Sequence, residues 1–157
     1  EPGRAIVGPT MVTLYEVGTT KVVKDGAGQV RNYISVDGGM SDNIRPGLYG
    51  AEYSILLANR KSSAGAIDSR VVGKHCETGD IVINDVKLPS DIRPGDILAV
   101  PATGAYGRSM ASNYNFVGRP PVVLLSDGTA RTIVRRENQA DLLALDVEEA
   151  PRVIGEL

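Results

Sequence analysis

The sequence holds one histidine, His75, and one cysteine, Cys76. A lone cysteine excludes an internal disulfide framework and fits a reducing, cytoplasmic compartment. If residues 71–76 form a strand, the side chains of His75 and Cys76 point to opposite faces. A shared Cys/His zinc site is then not expected, and no metal is. A Ser-His-Asp triad would have to use His75, and the sequence has no Gly-x-Ser-x-Gly elbow. Gly26-Ala27-Gly28 lacks the third glycine and the strand-to-helix setting of a dinucleotide loop. A basic excess is also missing. Seventeen Lys+Arg against 19 Asp+Glu leave a net charge of -2, which argues against nucleic acid or an anionic membrane as partner. The longest apolar runs, such as Val122-Val123-Leu124-Leu125, fall far short of the ~18 residues that a bilayer span needs. No signal peptide is expected, and Glu1-Pro2-Gly3-Arg4 reads like the middle of a longer protein.

What is present is a chain of 157 residues, 42% hydrophobic and 23% charged. That is one ordinary domain with enough apolar side chains for a core. Eighteen glycines and nine prolines favour short strands and turns over long helices. The runs 11–23 and 30–36, around a Gly-containing turn, predict a hairpin. Residues 41–49 contain Arg45-Pro46-Gly47 and read as a loop or a single helical turn. Residues 51–58 are apolar and expected to be buried, and 60–69 are expected to be the least ordered. Further strands are expected at 71–76, 80–88 and 97–100, then a long loop at 103–115. A second hairpin spans 122–125 and 130–135 around Ser126-Asp127-Gly128. One helix is expected at 138–145, capped near Asn138 or Glu137, with Leu142, Leu143 and Leu145 on its apolar side. The fold class is therefore mainly β, a barrel or sandwich of Greek-key type with a short helix.

Four segments stand out from a bland β-domain. Gly3 would let the backbone approach a bound group, and Arg4 offers a forked donor for phosphate or carboxylate. Glycines flank Arg45 and Tyr49 on a tight loop, where function concentrates. Cys76 lies beside Glu77 and Gly79; an ordinary free thiol, with a pKa of ~8.5, is protonated at neutral pH and can serve as an acid. Tyr106 sits between glycines in the 103–115 loop and could reach a ligand. Each segment also has a plain reading: a linker with a solvated Arg, a turn with a half-buried Tyr, a small buried hydrophobe, a connection whose tyrosines cover the core. On bare composition the plain readings of the first two are favoured.

Taken in order, Glu1-Pro2-Gly3-Arg4, Arg45-Pro46-Gly47-Leu48-Tyr49, Cys76-Glu77-Thr78-Gly79-Asp80 and Gly104-Ala105-Tyr106-Gly107 with Ser112-Asn113-Tyr114-Asn115 resemble the C-terminal part of the fold-type III pyridoxal-phosphate decarboxylases. The resemblance is greatest to the branch acting on diaminopimelate, and it covers nearly the whole chain. It implies a β-domain, residues 1–157, that is normally joined near residues 1–4 to an N-terminal α/β barrel bearing the Schiff-base lysine. The five lysines here, Lys21, Lys24, Lys61, Lys74 and Lys87, do not sit in such a segment. The implied activity is conversion of meso-2,6-diaminopimelate to L-lysine and carbon dioxide with pyridoxal 5'-phosphate, and the isolated domain is expected to be inactive.

The resemblance also implies roles. Glu1 would pair with the cofactor's pyridinium nitrogen. Pro2, Gly3 and Arg4 would lie by its phosphate, with Arg4 also facing a substrate carboxylate. Arg45 and Tyr49 would hold the distal end of the substrate, and Glu77 its distal ammonium. Tyr106 would touch cofactor and substrate. Cys76 would return a proton to Cα, acting with Glu77 in the partner subunit's site, so a homodimer is implied. Thr78 stands where many relatives have Ser. Two alternatives stay open: an ornithine, arginine or carboxynorspermidine decarboxylase, and a non-catalytic homologue.

Overall fold

The computed structural model describes residues 2–24 and 26–147. Six strands form one mixed sheet, in the spatial order Leu56–Leu57 (β3), Ile97–Pro101 (β6), Val12–Lys24 (β1), Val30–Val36 (β2), Ala66–Val72 (β4) and Ile81–Pro89 (β5). Its spine is the hairpin of β1 (Val12–Lys24) and β2 (Val30–Val36). Alternation in β2 sends Asn32, Ile34 and Val36 inward, as the pleat requires. β1 buries Tyr15 and Val17, and its register on β2 shifts at Gly18. β4 (Ala66–Val72) pairs parallel with β2 and antiparallel with β5 (Ile81–Pro89). β6 (Ile97–Pro101) pairs with β1 and with the two-residue β3 (Leu56–Leu57). The sheet curls until β3, at one edge, lies against β5 at the other with no ladder between them. This open barrel encloses Tyr15, Val17, Ile34, Val71, Leu98 and Val100, and full burial stabilises by about 1.5–3 kcal/mol per large apolar side chain. The mainly β fold expected from the sequence is borne out.

Short helical turns carry the loops. α1 is Gly3–Val7, followed by a 3₁₀ turn at Gly8–Thr10. Arg45–Tyr49 is the single helical turn α2, with proline in its first turn and Gly50 left-handed at φ 61° behind it, both suited to a helix start and stop. α3 (Gly107–Met110) and a 3₁₀ turn at Tyr114–Phe116 interrupt what the sequence suggests is one long loop. A separate hairpin joins β7 (Val122–Ser126) to β8 (Thr129–Val134) through Asp127-Gly128.

Several expectations need correction. Residues 51–58 are not a buried run: Ile55 is buried, while Leu56 is 51% exposed. Residues 60–69 are tied into the fold: the Arg60 guanidinium donates to Asp91 and Asp96, and β4 begins at Ala66. The strand expected at 71–76 ends at Val72, where Gly73 packs on the Asp80 carboxylate. His75 and Cys76 still part company, one buried and the other exposed, but through a bend and not a pleat. The 138–145 helix shortens to α4 (Gln139–Leu142). Its start is as expected, since Asn138 and Asp141 form a capping box, but Leu143 and Leu145 are exposed.

Candidate active site

The four unusual segments converge at one end of the sheet, and glycines let them meet. Gly104 donates its N–H to the Gly8 carbonyl at 3.0 Å. A Cβ on Gly104 would stand 2.0 Å from the Val7 carbonyl oxygen, so only glycine lets the 103–107 loop lie on the end of α1. The site of a Cβ on Gly47 is 3.5 Å from the Gly79 carbonyl oxygen, which sets α2 against the loop of Cys76 and Glu77. The Ser112 N–H donates to the Ser41 carbonyl at 2.8 Å and ties the fourth segment to the turn before α2.

Arg45 is the centre of the first cluster. Its guanidinium lies 5.5 Å from the Tyr49 ring centroid and 5.4 Å from that of Tyr106, within cation–π range of both. Tyr106 is presented from a left-handed backbone at φ 63°, an uncommon conformation for a bulky residue and one found more often at functional positions. With Met110 these three residues line a recess of about 240 Å³. A groove of about 540 Å³, lined in part by Arg4, Gly8, Arg45, Tyr53 and Ala105, shares Arg45 with it. Neither Arg4 nor Arg45 has an ion pair among the described residues.

Cys76 and Glu77 line neither recess. They stand exposed on the neighbouring loop, whose end is fixed by a buried carboxylate. Asp80 accepts the Met40 N–H at 2.6 Å and the His75 N–H at 2.7 Å. Gly39 and Gly73 both crowd it, since a Cβ on either would fall within 2.5 Å of that carboxylate. Beside it, the Tyr15 hydroxyl donates to Asp42 at 2.5 Å. Burial pushes the pKa of both groups up, that of Tyr15 well up.

Of the residues singled out by sequence, Arg45, Tyr49 and Tyr106 share one recess, and Arg4 adjoins it. Pro2 and Gly3 lead into α1, so this segment is helical and not a plain loop. Glu1 lies outside the described residues. Sequence reasoning gives no role to Met110, Tyr114, His75 or Ser41, although Tyr114 lies within a quoted motif. The Tyr114 hydroxyl donates to Glu77, and its ring meets that of His75 edge-on.

The two arginines suit an anionic ligand, and Glu52 is the one carboxylate among the residues that line the groove with them. Two guanidinium groups without ion pairs among the described residues border one groove, and no Cβ at Gly3 would meet an atom within 4 Å. A phosphate and a carboxylate fit these donors. None of the five lysines lines either recess, so an amine holding an aldehyde cofactor would have to come from elsewhere.

Comparison with known proteins points the same way. The family described as "Pyridoxal-dependent decarboxylase, C-terminal sheet domain" matches residues 6–104. The diaminopimelate decarboxylase of Mycobacterium tuberculosis is 58% identical over 147 residues, covering 94% of this chain and 33% of that protein. That of Staphylococcus aureus is 50% identical over 149 residues, covering 94% and 34%. The crystal structure of the Helicobacter pylori diaminopimelate decarboxylase complexed with L-lysine superposes with a TM-score of 0.78 at 34% identity, covering 90% of this chain and 33% of that one. The chain thus spans about a third of the length of the curated relatives it matches.

Proposed function

The chain belongs to the pyridoxal-dependent decarboxylases, as their C-terminal sheet domain, and from that premise we propose that it is part of an enzyme converting meso-2,6-diaminopimelate to L-lysine and carbon dioxide. The observation that carries the reading is the placement of Arg45 between the rings of Tyr49 and Tyr106, a cation without an ion pair among the described residues. Diaminopimelate is a zwitterion at both ends. Arg45 and Tyr49 hold its distal carboxylate, and Glu77 receives its distal ammonium. A substrate with no distal carboxylate has no use for an arginine there. Identities of 50–58% to relatives bearing this name support the same choice over ornithine or arginine.

Arg4, with Pro2, Gly3 and Tyr106, would hold the phosphate of the cofactor, and Glu1 would pair with its ring nitrogen, as the resemblance implies. When bound, pyridoxal phosphate would supply an electron sink for the pair left on Cα by the loss of carbon dioxide. The Cys76 thiol then gives its proton to Cα and is left as thiolate, to be reprotonated from solvent. That Cys76 and Glu77 line neither recess of their own chain supports their working in the site of a second, identical subunit. The enzyme is then a cytoplasmic homodimer, and this domain alone is inactive.

The test is turnover by the full-length protein loaded with pyridoxal phosphate. Equimolar lysine and carbon dioxide from diaminopimelate, with at most weak turnover of ornithine or arginine, is the expected result. Preference for ornithine or arginine would move the enzyme to another branch, and no turnover of any of them would leave the non-catalytic homologue.

A further inference from the structure

We propose that Tyr114 is a positioning residue for Glu77 and thereby tunes recognition of the substrate's distal ammonium; this rests on the diaminopimelate reading above. Glu77 is exposed, and an exposed glutamate spreads over several rotamers. The Tyr114 hydroxyl donates to its Oε1, a charge-assisted bond that selects one of them. Among the described residues no hydrogen-bond partner is found for Oε2, which leaves it for a cation. The same bond raises the pKa of the Tyr114 hydroxyl, a group that in any case is protonated and a donor at neutral pH.

Tyr114 is itself held in place. The His75 ring meets it edge-on, with centroids 5.4 Å apart at 85°. His75 is buried, its Nε2 is 2.8 Å from the Ser41 hydroxyl oxygen, and its backbone N–H is fixed on Asp80. The turn carrying Tyr114 is braced from the other side. Asn113 Nδ2 donates to Glu137 at 2.6 Å, and Arg119 donates to the same carboxylate. Beyond Tyr114 the backbone is left-handed at Asn115 (φ 53°) and Phe116 (φ 55°), an uncommon arrangement for an exposed phenylalanine and one met at functional positions. An ordinary surface tyrosine needs no such support. The arrangement is that of a rigid arm reaching across to one carboxylate oxygen. Because Tyr114 and Glu77 lie on the same chain, the arm travels with Glu77 to whichever subunit's substrate it meets.

The experiment compares the full-length holoenzyme with Tyr114→Phe, which keeps the ring and its contact with His75. KM for diaminopimelate should rise about five- to tenfold, the loss of one hydrogen bond to a charged group at a solvated site, with a smaller change in kcat. The inhibition constant of 2-aminopimelate, which lacks the distal ammonium, should stay within about twofold, consistent with a change that removes no partner of that ligand. In a Glu77→Gln background, Tyr114→Phe should add almost nothing, because coupled residues are non-additive. Equal weakening of both ligands, or full additivity with Glu77→Gln, would show that Tyr114 serves the fold alone and overturn the proposal. Wild-type turnover with an unaltered KM in Tyr114→Phe would sink this inference and leave the diaminopimelate reading standing. If the wild-type protein turned over no diaminopimelate, both would fall.

Discussion

Cys76 is exposed, carries the only thiol, and stands beside a carboxylate. A general acid need only be protonated and within reach of the carbon that receives the proton, and an ordinary thiol meets the first condition at neutral pH. In the full-length enzyme Cys76→Ala should leave substrate binding almost unaltered while slowing product formation by about 10²–10⁴-fold. Lysine formed in deuterated water should also lose stereochemical uniformity at Cα as solvent takes over the delivery. Steady-state kinetics and NMR of the product would check both. Normal turnover with a uniform product would assign the proton to another group. Arg45 illustrates a different point at the same scale. Its two tyrosine neighbours hold a cation without neutralising it, so the charge stays available to a carboxylate.

At the scale of elements, an ion-pair network ties one loop to a distant turn. Arg60, with its side chain 21% exposed, bridges Asp91 and Asp96 at 2.9 and 2.7 Å. Hydrogen bonds from Arg60 depress Asp96 to about 2. A carboxyl depressed in the fold stabilises above its unfolded pKa, and that stabilisation is lost as pH falls towards the folded value. The window here runs from pH ~4 down to about 2. Solvent screening at Arg60 trims the contribution to about 1–2 kcal/mol. Asp96→Asn should therefore be less stable than wild type by that amount at pH 6, and the gap should narrow as pH falls below 4. Denaturant midpoints at pH 6 and pH 3 would check it, and a gap independent of pH would assign the effect to lost packing. Elements of this kind differ in how far the sequence reveals them. β2 is legible because its alternation is local, and α2 in part, because Arg45-Pro46-Gly47 admits a loop or a single helical turn. The parallel pairing of β2 with β4 is not, since a crossover of nearly thirty residues separates them and no local pattern encodes a distant partner. Arg60 looks like loop until Asp91 and Asp96 arrive from elsewhere in the chain. Tyr114 and Glu77 are 37 positions apart, so their contact exists only in the fold, even though both lie in motifs that a resemblance picks out.

At the scale of the whole molecule, this chain spans about a third of the length of its relatives, and neither of the two recesses described above holds both the Arg45 cluster and Cys76. In a dimer with a two-fold axis, each subunit offers the same patch to the other. Each active site would then unite the lysine-bearing part of one chain with Cys76 and Glu77 of its partner. Consider two inactive full-length variants, one lacking the cofactor-holding lysine and the other carrying Cys76→Ala. Every site in either homodimer is defective. In the mixed dimer one site receives both defects, and the other receives neither. Statistical exchange makes half of all dimers mixed, with one of their two sites intact, so recovery should approach about a quarter of wild-type activity per site, as the isologous arrangement requires. Activity measured before and after exchange, with mixing verified by differently tagged subunits and native mass spectrometry, decides the matter. Verified exchange without recovery would put Cys76 in the site of its own chain and rule out the shared arrangement.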